Sequence, residues 1–281
     1  MRGIITNLSA LKSVSNIEKS SRKINKAVEQ VSTGLRMTEA GDDGAGVSVS
    51  VRMEADKTSL SQSQRNINDG ISFVQTIDGA LGNLSKVMVR LRELSVQAAN
   101  ETYTATDRTM ILSEMTNTLE QYDKAITATF NDIDFLNSLD TITFQVGKDG
   151  SSNDQINVDL TNVNMSILGL PAIVPLDVSI GTGAAVNSSD ARQNLSLLDS
   201  TIDLISTARS YVGALQNRFE YALEMSAIEE SNLQAAQSKI TDIDYASKTA
   251  DMTRSQIQLQ AGVASLAQAK SMPQNLLSLV S

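Results

Sequence analysis

Residues 255–281 carry one charged side chain, Lys270, and more apolar surface than a chain end normally shows. On a helical wheel at about 100° per residue with Ile257 as origin, Ala261 and Ala264 fall within about 40° of it. Leu259, Val263 and Leu266 gather near the opposite pole, with Gln258, Gly262 and Ser265 separating the stripes on one flank and Gln260 on the other. A surface helix needs one apolar stripe. Two stripes require neighbours on both sides. Ile257, Ala261 and Ala264, with the smaller side chains, are assigned to a close contact within the chain, and Leu259, Val263 and Leu266 to a contact between subunits. Pro273 interrupts, and Leu276, Leu277, Leu279 and Val280 form a second apolar cluster. Chain ends usually fray; this one reads as a segment to be sandwiched, which points to an assembly.

Composition narrows the chemistry. With no Cys and no His, disulfides and thiol catalysis are excluded, and a zinc site and the commonest general base are removed. Ser–Lys, carboxylate-only or magnesium chemistry stays open, but nothing in the sequence assembles it, and the chain reads as no enzyme and as needing no cofactor. Trp is absent and aromatics are 4%, so cores are expected to consist of Ala, Leu, Ile, Val and Met, which suits narrow helix–helix seams. The net charge of −9 opposes nucleic-acid binding. Against it, Arg2, Lys12, Lys19, Arg22, Lys23 and Lys26 face only Glu18 and Glu29 in the first thirty residues, which reads as a solvated basic helix face. No apolar run is long enough for a membrane span, and the opening residues do not read as a cleaved signal.

The period of the apolar positions organises the chain. Ile4, Leu8, Leu11, Val14 and Ile17, then Ile24, Val28, Val31 and Leu35, step by three and four until Gly34 and the Gly41–Gly46 stretch interrupt. A second helical pattern begins in the fifties, where Ile67, Val74, Leu81 and Met88 repeat every seven residues beside a row of Ile77, Leu84, Leu91 and Ala98. After a break at 100–106, with Asp107 in an N-cap region, Ile111, Met115, Leu119, Tyr122 and Ile126 mark a shorter helix. Residues 141–146 and 155–160 alternate with period two around Gly147-Lys-Asp-Gly150, a β-hairpin pattern. Residues 170–187 read as irregular connection. Leu198, Ile205, Val212, Phe219, Leu233 and Ile240 then share a heptad row whose single gap is Ser226.

These patterns predict a mainly α fold: an elongated, coiled-coil-like helical bundle with a small β-hairpin region and paired N- and C-terminal helices. The expected domains are a terminal one, 1–42 with 242–281, and a helical core, 43–241, that includes the hairpin at about 141–160. Asp42-Asp43-Gly44-Ala45-Gly46 lacks calcium- or phosphate-loop spacing and reads as a turn with a helix cap. Arg90, Arg92, Glu93 and Glu114 read, from the residues alone, as solvated helix faces.

Several motifs carry a likeness. Ser32-Thr-Gly-Leu-Arg36, the Asp42–Gly46 turn, Arg65-Asn-Ile-Asn-Asp-Gly-Ile-Ser72 and Val89-Arg-Leu-Arg-Glu-Leu-Ser-Val-Gln-Ala-Ala-Asn100 resemble the N-terminal region of bacterial flagellin. Thr143-Phe-Gln-Val-Gly147 looks like that family's hairpin. Gly213-Ala-Leu-Gln-Asn-Arg-Phe219, Ile243-Asp-Tyr-Ala246, Gln256-Ile-Gln-Leu-Gln-Ala-Gly262 and Pro273-Gln-Asn-Leu-Leu-Ser-Leu279 resemble its C-terminal region. In Phe130-Asn-Asp-Ile-Asp-Phe-Leu136, Asp132 stands where the family normally has glycine.

The resemblance implies a short flagellin without the outer variable domains. It implies a secreted subunit, exported unfolded and polymerised at the tip of the extracellular flagellar filament used for swimming. Self-assembly is expected to run through Ile4, Leu8, Leu11, Ile257, Leu259, Val263, Leu266, Leu276, Leu277 and Leu279. The implied partners are further copies of the chain, an export chaperone, the filament cap and hook–filament junction proteins, with no nucleic acid and no membrane. The family's recognition by Toll-like receptor 5 maps by position onto Arg90, Leu94 and Glu114. A hook–filament junction protein with similar termini is the alternative; the Gln-Asn-Arg-Phe and Gln-Asn-Leu-Leu-Ser-Leu matches favour flagellin.

Overall fold

The structure, a computed structural model, describes residues 7–164 and 188–278. Ile4, Leu279 and the connection expected at 170–187 lie outside the described residues. The helices are α1 (Leu8–Thr33), α2 (Gly44–Ala98), α3 (Ala105–Ile126), α4 (Ser188–Thr241) and α5 (Tyr245–Ser278). Two antiparallel hairpins lie between α3 and α4 in sequence: β1 (Thr129–Phe130) with β2 (Ile133–Asp134), and β3 (Thr141–Gln145) with β4 (Gln155–Asp159). By its contacts the chain divides into two compact units, Met1–Lys57 with Ser231–Ser281, and Thr58–Glu230.

Local chemistry sets the helix ends. The Asn7 side chain accepts from the Ala10 N–H at 3.1 Å to start α1. Gly34, at φ 73°, ends it by donating its N–H to the Gln30 carbonyl at 2.9 Å. α2 starts at Gly44, earlier than its apolar period suggests. The Asp43 carboxylate accepts from the Gly46 N–H at 2.9 Å and caps a first turn that has no apolar row of its own. At the far end, the Arg108 guanidinium donates to the carbonyl of Ala98, the last residue of α2, and to that of Asn100 beyond it, both at 3.1 Å, and so satisfies an acceptor the helix end leaves open. The N-cap of α3 is Thr104. Asp107 is its capping-box partner three residues on, and the Thr104 hydroxyl and N–H hold that carboxyl below the usual carboxylate range.

In the unit Thr58–Glu230, both heptad rows of α2 are buried: Ile67, Val74, Leu81 and Met88, and Ile77, Leu84, Leu91 and Ala98. They meet Leu198, Ile205, Val212 and Phe219 of α4 and Ile111, Met115 and Tyr122 of α3 in one core. That core is less purely aliphatic than composition suggests, because all five phenylalanines of the chain join it. The Phe73 ring lies 5.4 Å from Phe130, 6.1 Å from Phe135 and 5.8 Å from Phe144, and Phe144 meets Phe219 edge-on at 5.4 Å. Gly70 admits the Phe219 ring to α2: a Cβ there would stand 2.6 Å from its Cε1. One heptad away on each helix, Ser63 and Ser226 are buried with hydroxyls that make no hydrogen bond.

The larger hairpin falls where the alternation places it, with Ile142 opposite Val158 and Phe144 opposite Ile156 on the core-facing side. Asn66 of α2 donates to the Gln145 carbonyl at 3.2 Å, and the Asp159 N–H donates to the Tyr211 hydroxyl of α4 at 3.0 Å. These bonds fix the sheet to both long helices. The small hairpin β1–β2 has no signal in the period of the sequence. Asn131 and Asp132 form its two-residue turn with φ 49° and 62°, the signature of a type I′ turn. Asp132 thus takes the left-handed conformation that glycine adopts at lower cost. Asp132→Gly is expected to stabilise this unit by about 1 kcal/mol, raising its thermal midpoint by about 3 °C. An unchanged or lower midpoint by calorimetry would count against that turn.

Candidate assembly surface

The unit Met1–Lys57 with Ser231–Ser281 is built on the close pairing of α1 with α5. The approach depends on small side chains. From α5 the half-buried or buried positions include Met252, Ser255, Leu259, Gly262, Leu266 and Ala269, alternating large and small at heptad spacing. From α1 they include Ala10, Ser13, Ile17, Ser20, Ile24 and Ala27. A Cβ on Gly262 would stand 3.0 Å from Cγ1 of Ile17. At the ends of the chain the Asn7 side-chain amide donates to the Ala269 carbonyl at 2.7 Å.

This seam reverses the expected allocation of faces on α5. Leu259 and Leu266 point at α1, while Ile257, Ala261 and Ala264 are exposed. Side-chain hydrophobicity misplaces the seam because Gly262, which reads as a separator between the stripes, is where α5 approaches Ile17 most closely, with the small Ser255 buried one heptad before it. Val263 is exposed on the outer side.

What the pair leaves outward includes large apolar side chains on both helices. Leu8 is 78% exposed, Leu11 61%, Ile257 61% and Val263 53%. Val14 and Val28 extend the α1 side. Beside them on α5 an apolar groove is lined by Tyr245, Ala246, Ala250 and Ile257. A two-helix pair has no third layer to cover both outer faces. Leu276 and Leu277 lie in the last turn of α5, where only the backbone course is described.

A connector closes the other end of the pair. The Arg36 N–H donates to the Thr241 carbonyl at 2.6 Å and the Ile243 N–H to the Gly34 carbonyl at 3.1 Å, with Leu35 bridging Asp242. The Tyr245 hydroxyl stands 2.9 Å from where a Cβ on Gly34 would lie, so the positive φ and the close approach both require glycine. Two motifs far apart in sequence, Ser32–Arg36 and Ile243–Ala246, therefore form one structural joint. Asp42 pairs with Lys26 of α1, and that ammonium holds its carboxyl below the ordinary range.

In the other unit, Arg90 pairs with Glu114 of α3 and, at 2.9 Å, with Glu93, and these carboxylates stabilise its charged form. Arg92 bonds Asp199 at 2.5 Å. Of the three residues assigned to receptor recognition, Arg90 and Glu114 are therefore exposed and joined to each other. Leu94 is 1% exposed. The seven-residue spacing that carries Ile67 to Met88 and Ile77 to Ala98 places position 94 beside those rows, on the inner face of α2. Its side chain is a core residue and not a surface contact.

Residues 4–141 match the bacterial flagellin N-terminal helical region, and residues 195–280 match the bacterial flagellin C-terminal helical region. The chain belongs to the bacterial flagellin family. A flagellin of Halalkalibacterium halodurans is 36% identical over 276 residues, covering 98% of each chain. A flagellar filament 30.7 kDa core protein of Treponema maltophilum is 35% identical over 264 residues, covering 90% of this chain and 91% of its own. A solved structure from Vibrio parahaemolyticus, assigned to the flagellar hook-associated proteins, shares the fold at a TM-score of 0.59. It is 13% identical and covers 72% of this chain and 100% of its own. Within the flagellin family the regions matched by the two helical models hold both members of the α1–α5 seam and both members of the Gly34–Ile243 joint.

Proposed function

We propose that this flagellin is a structural subunit of the bacterial flagellar filament, polymerising with copies of itself through the outer faces of α1 and α5. The observation that carries this reading is the exposure of Leu8, Leu11, Ile257 and Val263 on a helix pair whose inner seam is already filled. Surface of that kind is stabilised by a neighbour and costs free energy in water. The work is mechanical and needs no catalysis. The proposed site of action is the extracellular filament, reached by export, with an export chaperone, the filament cap and junction proteins as transient partners. Recognition by Toll-like receptor 5 is proposed at Arg90 and Glu114, with Leu94 contributing only the packing that holds α2 in place.

Purified protein seeded with fragments of its own polymer is expected to grow long tubes visible by electron microscopy. Trypsin sites at Lys12 and Arg22, open in the monomer, are expected to be protected in the sedimented polymer. Short caps on added hook ends in place of tubes would favour the junction-protein alternative. No sedimentation and no protection would overturn the filament reading.

A further inference from the structure

A cleft of about 490 Å³ lies between α1, the connector after it and α5, entirely within the unit Met1–Lys57 with Ser231–Ser281. Its walls hold more cations than they use. Asp42 is matched by Lys26, Asp43 by Arg36 at 3.7 Å, and Asp251 by Arg254 at 3.2 Å. Lys23 and Lys248 line the same cleft and make no ion pair with any described residue. One comes from each helix of the pair. Two ammonium groups facing a shared concavity form a site for a carboxylate that this unit does not supply.

The chain carries a large excess of such carboxylates elsewhere. Residues 58–230 hold 10 Lys and Arg against 22 Asp and Glu, whereas residues 1–57 with 231–281 hold 13 against 10. The acidic unit therefore carries more than the whole of the net charge of −9, and the cleft belongs to a unit of the opposite sign. Like-charged acidic units repel when copies are crowded, and docking one of their carboxylates on Lys23 and Lys248 relieves part of that repulsion.

We propose that this cleft is a subunit-contact site in which Lys23 and Lys248 receive an acidic segment from residues 58–230 of a second copy. The proposal rests on the filament reading and adds an electrostatic contact to its apolar one. It specifies which neighbour surface fits, since an apolar stripe alone does not set orientation.

The test couples amines to touching carboxylates with a zero-length carbodiimide in polymer grown from an equal mixture of ordinary and ¹⁵N-labelled chain. Mass spectrometry is expected to find mixed-isotope links from Lys23 or Lys248 to Asp or Glu within 58–230, absent from the monomer. Lys23→Ala with Lys248→Ala is expected to raise the critical concentration for assembly about tenfold, an effect that shrinks in high salt. Arginine at both positions is expected to restore it, and matching circular dichroism confirms that the variants fold. Links confined to single chains, or none at these lysines, overturn the proposal, as does an unchanged critical concentration in the alanine variant. Binding of inorganic phosphate by the monomer at these lysines, with assembly unaffected by their loss, also overturns it. Wild-type protein that fails to polymerise overturns the filament reading, and this one with it.

Discussion

Replacing Leu8 and Leu11 together with lysine is expected to abolish polymerisation at concentrations where the unaltered flagellin assembles. Both side chains are mostly exposed on α1, so the substitution removes little packing inside the chain. Burying a leucine is worth about 1.5–3 kcal/mol, and two of them convert to a rise in critical concentration of more than about 100-fold. The lysines add charge to a helix already rich in it, which strengthens the effect. Sedimentation measures the critical concentration, and calorimetry of the monomer should show the transition of residues 58–230 unmoved. Assembly at an unchanged concentration would remove the outer row of α1 from the interface.

The second large effect is expected at Phe73. Its ring is 1% exposed and meets three of the four other phenylalanines. It thereby joins α2 to β1, to the stretch after β2 and to β3. Phe73→Ala removes a full aromatic volume from a region where both hairpins converge on α2, and is expected to cost about 4 kcal/mol. For a unit of this size that lowers the thermal midpoint by about 10 °C. Phe73→Leu keeps most of the volume and loses mainly the edge-to-face contacts, so it should cost about a third as much. A loss below about 1 kcal/mol for the alanine variant would show that the hairpins are held by their hydrogen bonds to Asn66 and Tyr211 and not by the rings.

Much of this architecture is legible before any coordinates. The rows from Ile67 to Met88 and from Ile77 to Ala98 predict the burial of α2 because each position is large and apolar. Alternation likewise places β3 and β4, where period-two burial needs only one covered face. What stays hidden has a common cause. The α1–α5 seam is made of Ser255, Gly262 and Ala269 as much as of Leu259 and Leu266, and small residues carry little hydrophobic signal while permitting the closest approach. The phenylalanine cluster is hidden for a different reason, since its members come from four separate elements and a connecting stretch and share no local period. The first turns of α2 have no apolar row, so only the Asp43 cap announces them. The β1–β2 turn is disguised by aspartate at a position where glycine would have signalled it. Leu94 shows the limit of carrying a role over by position: the identity matches, but its side chain is in the core.

The seam that joins Asn7 to Ala269 spans nearly the full sequence, and this has a consequence for how the molecule can be made. A contact between α1 and α5 cannot form until both have been synthesised, and its loop-closure cost spans everything between them. A product cut short before Ser255 lacks most of the surface on which α1 lies. The α1–α5 surface therefore depends on the last described helix, and the outer faces it presents exist only where both helices are present.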